Sequence, residues 1–203
     1  MKKLILLAFI LVATLTNAFS QEGNSISGFS KSYACEYRYQ YDSAIYVLKP
    51  YYSAENYEIN LRMGWLSYLA GKNDQSVVYY KKAISLMPAA IEPLLGYVYP
   101  LSALEKWDDV IRQYEAILKI DPSNYISNFR LGLIYYNRKD HLVSKKYLDK
   151  ALNLFPFEYD VVHLSAWNHL SLANYREAKV LFNKALMIRP NDLSSLEGLK
   201  NIK

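Results

Sequence analysis

Cysteine and histidine are scarce in this chain, which limits the chemistry that it can carry out. Cys35 is the single cysteine among 203 residues, so no disulfide can form within the chain and the fold must depend on packing. The three histidines and the acidic residues show no metal-ligand spacing, and no glycine-rich phosphate loop or nucleophile elbow is present. The sequence therefore predicts no metal, no cofactor and no catalytic residues, and we expect a protein that is not an enzyme.

A strong excess of charge of one sign is also missing. The chain has 24 basic and 19 acidic residues, and basic pairs such as Lys81-Lys82 and Lys145-Lys146 lie among acids. Scattered charges of this kind are typical of solvated helix faces and not of a stripe that binds phosphates. We therefore expect no nucleic-acid partner. A hydrophobic content of 52% favours an ordered protein over a disordered one.

The chain has no apolar run long enough to span a bilayer, because the run from Leu4 to Leu15 is too short. Two lysines precede this run and small residues at Ala18 and Ser20 follow it. That order is typical of a secretory signal peptide over residues 1–20, cleaved before Gln21, with cleavage after Ala18 as the second choice. We expect a mature protein that carries no lipid, is soluble, and is periplasmic or secreted.

The dominant positive feature is a repeat, marked by Pro88, Pro122, Pro156 and Pro190, which stand 34 residues apart. The segment from Ala54 to Gly64 also matches the segment from Pro122 to Gly132, with Asn, Tyr, Asn, Arg and Gly at the same positions. Spacing this regular indicates structural repeats that each contact their neighbours.

Each repeat contains two apolar-periodic segments separated by a short polar break, which predicts a helical hairpin. Isolated helices of this length are marginal in water, so the hairpins are expected to stack on one another. The predicted repeats are residues 57–90, 91–124, 125–158 and 159–192. The sequence thus predicts an all-α protein, an α-solenoid of stacked helical hairpins over residues 30–203.

Both ends of the array are predicted to be capped by helices. Residues 21–29 are polar and contain glycine, which indicates a flexible leader. Tyrosines spaced four apart predict one helix over residues 30–49, ended by Pro50. An amphipathic segment over residues 193–203 predicts a C-terminal capping helix.

The repeats resemble the tetratricopeptide repeat family, whose pattern has a small residue in the first helix, an alanine in the second and a proline at the end. The positions that carry the resemblance are Gly64, Gly132 and Ala166 in first helices and Ala178 in a second helix, with Ser76 and Ser144 as small substitutes. The resemblance implies a right-handed superhelix. It also implies that Gly132 lies at a helix crossing, so leucine is expected to cost more there than at Gly198 in the cap.

The second repeat departs from the family pattern, since Val98 replaces the small residue and Pro100 lies inside the first helix. A proline there removes a hydrogen bond to the carbonyl of Gly96, which predicts a kink.

By the same resemblance, the first helices line a concave groove that binds a protein partner. Tyr, Trp and Arg are the residue types that contribute most at interfaces, although aromatic stripes also pack between repeats. The groove positions are Glu58, Leu61, Arg62, Trp65, Tyr68, Glu92, Leu95, Tyr99, Ile126, Phe129, Arg130, Leu133, Tyr136, Asn137, Asp160, His163 and Trp167.

These observations favour an extracytoplasmic scaffold that binds a peptide or helix of an envelope protein in the groove. We expect the scaffold to have no membrane anchor of its own and to join a membrane complex through that partner. An alternative is a structural subunit of a larger envelope assembly that docks through its convex face or its caps. A weaker alternative is the binding of glycans or other small ligands by stacked aromatic rings.

Overall fold

The computed structural model describes residues 25–202. The predicted signal peptide over residues 1–20 lies outside the described residues. Every element of regular structure between residues 25 and 202 is a helix, which confirms the predicted all-α class.

Eleven α-helices and one short 3-10 helix make up the described part of the chain. The N-terminal elements are α1 (residues 25–36), α2 (Tyr41–Tyr46) and the 3-10 helix (Lys49–Tyr51). The repeats contain α3 (Tyr57–Leu69), α4 (Asn73–Leu86), α5 (Ile91–Ala103), α6 (Trp107–Ile120), α7 (Tyr125–Asn137), α8 (His141–Leu154), α9 (Tyr159–Ser171) and α10 (Tyr175–Ile188), and the chain ends with α11 (Leu193–Lys200).

The helices form two compact units, the first ending at Trp107 and the second beginning at Asp108. In unit 1, α3 packs against α2 and α4, and α4 packs against α5. In unit 2, α7 and α8 form one hairpin, α9 and α10 form the next, and α11 packs on α9 and α10. Within each unit, therefore, helical hairpins stack as the repeat predicts.

Helix N-caps recur at the 34-residue spacing of the repeats. The side chains of Asn56, Asn124, Glu158 and Asp192 each accept a hydrogen bond from the backbone amide three residues later. Such a cap satisfies one of the amides that a helix leaves unpaired at its start. Ala90, at the equivalent position before α5, makes no side-chain cap bond. The caps explain why α3, α7 and α9 begin where the predicted repeats begin.

The internal sequence match also has a structural cause. The Asn60 amide donates to the backbone carbonyls of Ser53, Ala54 and Asn56, and the Asn128 amide donates to those of Pro122 and Asn124. Both asparagines are buried. Each one therefore fixes the loop that leads into its repeat.

Ser76 and Ser144 do more than substitute for alanine inside the hairpins. The Ser76 hydroxyl donates to the Gly64 carbonyl over 2.7 Å, and the Ser144 hydroxyl donates to the Gly132 carbonyl over 2.8 Å. All four residues are buried. These hydrogen bonds join the two helices of a hairpin at the point where a missing side chain lets them approach.

The turns inside the hairpins use left-handed backbone conformations at the same 34-residue spacing. Gly71 has φ 72°, and the equivalent Glu105, Lys139 and Ala173 have φ 56°, 61° and 58°. This conformation ends helices and normally favours glycine.

The N-terminal prediction is wrong in its boundaries. Residues 25–29, expected as part of a flexible leader, are helical, and the single helix predicted over residues 30–49 is in fact α1 and α2 separated by a turn. The Cys35 carbonyl accepts hydrogen bonds from the backbone amides of both Arg38 and Gln40, and Tyr39 has φ 59°.

Burial explains this break. Tyr37, which the tyrosine stripe places on the buried side of a helix, is 84% exposed and contributes nothing to a core. After the turn, Ala44, Ile45 and Leu48 pack against Ile59 and Met63 of α3. The turn reverses the chain and so buries these apolar side chains against α3. A straight helix would have left them away from α3.

The expectation that Gly198 tolerates a larger side chain better than Gly132 is also wrong. A Cβ atom at Gly132 would lie 2.5 Å from Leu148 Cδ2. A Cβ atom at Gly198 would overlap the ring of Phe182, which is fully buried. The cap therefore approaches α10 as closely as one helix of a hairpin approaches the other.

The first helix of the second repeat does not end at its proline. Pro100 is buried inside α5, which continues to Ala103. The kink expected at Pro100 stays a prediction.

Candidate functional site

Unit 1 contains a cavity of about 430 Å³ bounded by three helices and one residue from a fourth. We call it the aromatic pocket. Phe29 and Tyr33 come from α1, Tyr57, Glu58, Leu61, Arg62 and Trp65 come from α3, Tyr80 comes from α4, and Glu92 and Gly96 come from α5. This volume falls in the range of roughly 300–1,000 Å³ that ligand pockets occupy.

Three predicted groove residues form an aromatic cluster in unit 1. The ring centroid of Trp65 lies 5.8 Å from those of both Tyr68 and Tyr99, and the Tyr68 and Tyr99 centroids are 5.3 Å apart. Trp65 and Tyr68 are half-buried, whereas Tyr99 is 50% exposed. The half-buried rings of Trp65 and Tyr68 thus support the accessible ring of Tyr99, as neighbouring side chains support a binding anchor.

Arg62 lies in the pocket wall but its charge is already paired. The guanidinium is 2.5 Å from a carboxylate oxygen of Glu36, donates to the Ser32 hydroxyl over 3.2 Å and lies 3.9 Å from the centre of the Tyr33 ring. The second oxygen of Glu36 accepts a hydrogen bond of 2.7 Å from Trp65 Nε1. One carboxylate of α1 therefore holds both Arg62 and Trp65 of α3 in place.

The acidic side chains of the pocket differ from Arg62 in their exposure and in their lack of an ion-pair partner among the described residues. Glu58 and Glu92 are exposed, and neither forms an ion pair within residues 25–202. Burial, and after it the charges of Glu92 and Glu58, raise the pKa of Tyr57. Both carboxylates therefore act on the same hydroxyl group.

Tyr80 forms the pocket floor and depends on two glycines. A Cβ atom at Gly96 would overlap its ring, and one at Gly64 would lie 3.0 Å from it. The ring is 1% exposed, and burial raises the pKa of Tyr80, so the hydroxyl stays protonated.

Unit 2 contains the remaining predicted groove residues, beginning with those on α7. Phe129 stacks on Tyr125 with centroids 6.0 Å apart, and the Arg130 guanidinium lies 5.9 Å from the Phe129 ring. The Tyr125 hydroxyl donates to Glu158 over 3.0 Å; burial and this bond raise its pKa.

The end of α7 carries two more of these residues. Tyr136 is half-buried with its ring 5.3 Å from the His141 ring, whereas Asn137 is exposed. Of the α7 groove residues, therefore, Arg130 and Asn137 present accessible polar groups, while Phe129 and Tyr136 pack against neighbouring rings.

On α9, two predicted anchors are tied to the C-terminal cap. Trp167 Nε1 lies 3.1 Å from both His163 Nε2 and the Ser194 hydroxyl, and the indole contacts Phe182 edge to face at 5.2 Å. His163 stacks on Tyr159 at 5.1 Å. Burial lowers the pKa of His163, although the nearby carboxylates act in the opposite direction. These side chains hold α11 on α9.

The last groove residue on α9 lies at the surface. Asp160 is exposed, and its carboxylate is 3.9 Å from the Arg189 guanidinium, which in turn lies 3.6 Å from the centre of the Tyr159 ring.

The predicted groove residues thus divide between the units, those up to Tyr99 in unit 1 and those from Ile126 in unit 2. A single groove containing all of them stays a prediction. The contributions of Phe29, Tyr33 and Glu36 were missed, although a usable signal existed. One 34-residue period upstream of α3, the repeat predicts another first helix at residues 23–35. The helix α1 covers residues 25–36.

Among residues 25–202, no three His, Cys, Asp or Glu side chains converge as metal ligands would. No helix there combines the length and apolar character that a membrane crossing requires.

The repeats are similar in sequence to known proteins. The family model for the tetratricopeptide repeat matches residues 57–89, 125–157 and 159–192. A TPR repeat-containing protein of Methanocaldococcus jannaschii is 35% identical over 81 residues, which are 40% of this chain and 14% of that protein. The chain therefore spans about a seventh of the length of this relative.

Solved structures share the fold. A tetratricopeptide repeat protein from Parabacteroides merdae superposes with a TM-score of 0.75 at 20% identity, covering 89% of this chain and 72% of that one. MamA from Desulfovibrio magneticus RS-1 superposes with a TM-score of 0.70 at 19% identity, covering 83% of this chain and 97% of that one. At these identities the likeness concerns the fold, and it confirms the predicted class of stacked helical hairpins.

Proposed function

We propose, since this chain contains tetratricopeptide repeats, that it is an extracytoplasmic scaffold that binds a peptide or helix of an envelope protein on the first helices of its repeats. Repeats of this fold support a protein-protein interaction role and present extended surfaces.

The observation that carries this proposal is the aromatic pocket with the adjoining aromatic cluster. Tyr99 is 50% exposed beside two half-buried rings, and the pocket opens between first helices of the same unit. Aromatic side chains give large contact area with little loss of conformational freedom, so a partner segment lying along these helices gains most from them.

Cross-linking of the protein in its own cells tests this assignment. A photo-crosslinking amino acid replaces Tyr99 in one variant and Val78, which is 64% exposed on α4, in a matched control. We expect a discrete protein partner to be captured from position 99 and not from position 78. Absence of a partner captured from position 99, with or without capture from position 78, would contradict the proposal.

The extracytoplasmic part of the proposal rests on the sequence of the first 20 residues. A charged start, a short apolar run and small residues before Gln21 are the features that signal peptidase substrates share. Intact-mass measurement of protein recovered from cells tests it. We expect a chain that begins at Gln21 without added lipid, and a mass that retains residues 1–20 would contradict it.

A second candidate function is a structural subunit that docks through a cap. Tyr37, Tyr39 and Tyr46 are 84%, 80% and 72% exposed at the N-terminal hairpin of unit 1. Exposed aromatic side chains in such number favour an interface. In that case a cross-linker at Tyr46 would capture the partner and one at Tyr99 would not.

A further inference from the structure

The charges of the aromatic pocket do not balance. Its one cationic residue, Arg62, is neutralised by Glu36 at 2.5 Å and is 7% exposed. Glu58 and Glu92 are exposed in the same pocket and have no ion-pair partner among the described residues. An incoming group therefore meets two carboxylates and no free positive charge.

The two carboxylates act at one place. Glu58 follows Tyr57 in α3 and Glu92 lies in the first turn of α5; after burial, the charges of these two carboxylates raise the pKa of Tyr57. Because α3 and α5 are packed together in unit 1, acids from two repeats line the same pocket. A cation placed there would be attracted by both at once.

The pocket walls suit a cationic side chain as well. Phe29, Tyr33, Tyr57 and Trp65 contribute aromatic rings, and the Tyr33 ring already holds the Arg62 guanidinium 3.9 Å from its centre. Aromatic faces attract cations, and guanidinium groups stack on them. One arginine of the chain itself thus demonstrates the mode of contact that the pocket offers.

We propose that the aromatic pocket of unit 1 binds an arginine or lysine side chain of the partner, with Glu58 and Glu92 as the countercharges and the aromatic rings as the walls. This inference rests on the proposed function and specifies the chemistry of the partner segment. An acidic segment is disfavoured, because it would bring like charge to two carboxylates and find the Arg62 guanidinium already paired.

The pocket contains a natural reporter for a direct test. Of the three tryptophans, Trp65 lines the pocket, whereas Trp107 and Trp167 lie outside it. The test titrates the whole ¹⁵N-labelled chain with Nα-acetyl-arginine methylamide and follows the indole N–H signals. The Trp65 signal is assigned from the variant Trp65→Phe, and the uncharged citrulline analogue serves as the matched probe.

We expect the Trp65 indole signal to shift saturably with the arginine probe while the signals of Trp107 and Trp167 stay in place. The citrulline analogue should give no saturable shift. An equal response to both probes, or no shift of Trp65 with either, would overturn the inference.

Variants of the two acids provide the second arm. The double substitution Glu58→Gln with Glu92→Gln should weaken binding of the arginine probe about tenfold, as the loss of two partly exposed ion pairs predicts. The control combines Asp74→Asn with Glu105→Gln, two exposed acids of unit 1 outside the pocket, and should leave the affinity unchanged. Equal weakening in both double variants would contradict a local role for Glu58 and Glu92.

Failure of this inference is distinguishable from failure of the proposed function. If the partner cross-links from position 99 but binds the Glu58→Gln/Glu92→Gln variant as tightly as the unmodified chain, the cation assignment is wrong and the binding surface stands. If no partner cross-links from position 99, the proposed function itself is wrong, whatever the arginine probe does.

Discussion

Replacement of Trp167 by alanine should destabilise unit 2 and not merely remove a binding contact. The indole packs edge to face on the fully buried Phe182, and its N–H group reaches His163 and Ser194. Because the side chain links α9, α10 and the cap helix α11, its loss opens a cavity between three helices.

The expected cost follows from these contacts. Truncation of a buried aromatic side chain to alanine costs about 3–5 kcal/mol, and the half-buried position of Trp167 places it near the lower end, at roughly 3 kcal/mol. The lost indole hydrogen bond, about 1 kcal/mol, is part of that figure. No buried polar group is orphaned, since His163 Nε2 and the Ser194 hydroxyl remain 2.9 Å apart.

Urea denaturation followed by far-UV circular dichroism measures this cost. Trp107→Ala is the matched control, because Trp107 is 46% exposed and its truncation should cost less than about 1 kcal/mol. Equal unfolding free energies for the two variants would refute the packing assigned to Trp167.

Three further predictions follow from the described contacts. Leucine at Gly198 and leucine at Gly132 should each destabilise the fold by about 1–3 kcal/mol, because both positions face buried side chains. The unfolding midpoints of the two variants should therefore be similar, and an unchanged midpoint for Gly198→Leu would contradict the close approach of α11 to Phe182. Ala173→Gly should stabilise the fold by about 1 kcal/mol and Gly71→Ala should destabilise it by a similar amount, since both residues adopt positive φ; shifts of thermal midpoint in the reverse directions would refute this. Burial lowers the pKa of both His163 and His169 in the folded state, so the unfolded chain binds more protons at weakly acidic pH. The free energy of unfolding should therefore fall as the pH drops below about 6.5, the ordinary histidine pKa. Urea midpoints across that range should fall less in the variant with both His163→Gln and His169→Gln, and an unaltered pH dependence would contradict the burial.

The repeat boundaries could be predicted from the sequence because local interactions set them. The helices α3, α5, α7 and α9 begin at the first residues of the predicted repeats. A proline lies three residues before α5, α7 and α9, and Asn56, Asn124 and Glu158 cap α3, α7 and α9, so these signals are local and do not depend on the rest of the fold.

The N-terminal hairpin could not be predicted in the same way. The tyrosine stripe predicts a continuous helix, but the turn at Tyr39 is determined by the burial of Ala44 and Leu48 against α3. Contacts with another helix outweighed a local periodicity, and such contacts are not visible in the spacing of one segment.

The site was predicted in part for a related reason. The first-helix positions that include Trp65 and Tyr99 follow from the repeat. The pairing of Arg62 with Glu36, which leaves the pocket acidic, depends on how α1 lies against α3. The closeness of Gly198 to Phe182 likewise depends on the docking of α11.

The affinity of the cross-linked partner for the Tyr99→Ala variant tests the central claim most directly. Tyr99 is 50% exposed, so its truncation should change the free energy of unfolding by less than about 1 kcal/mol. As an interface anchor it should lower the affinity by about 2 kcal/mol, or roughly thirtyfold in Kd. We predict that loss of affinity with the melting temperature nearly unchanged, while Val78→Ala on α4 leaves both values as they were. Unchanged affinity of Tyr99→Ala for the partner would contradict binding on the first helices of unit 1.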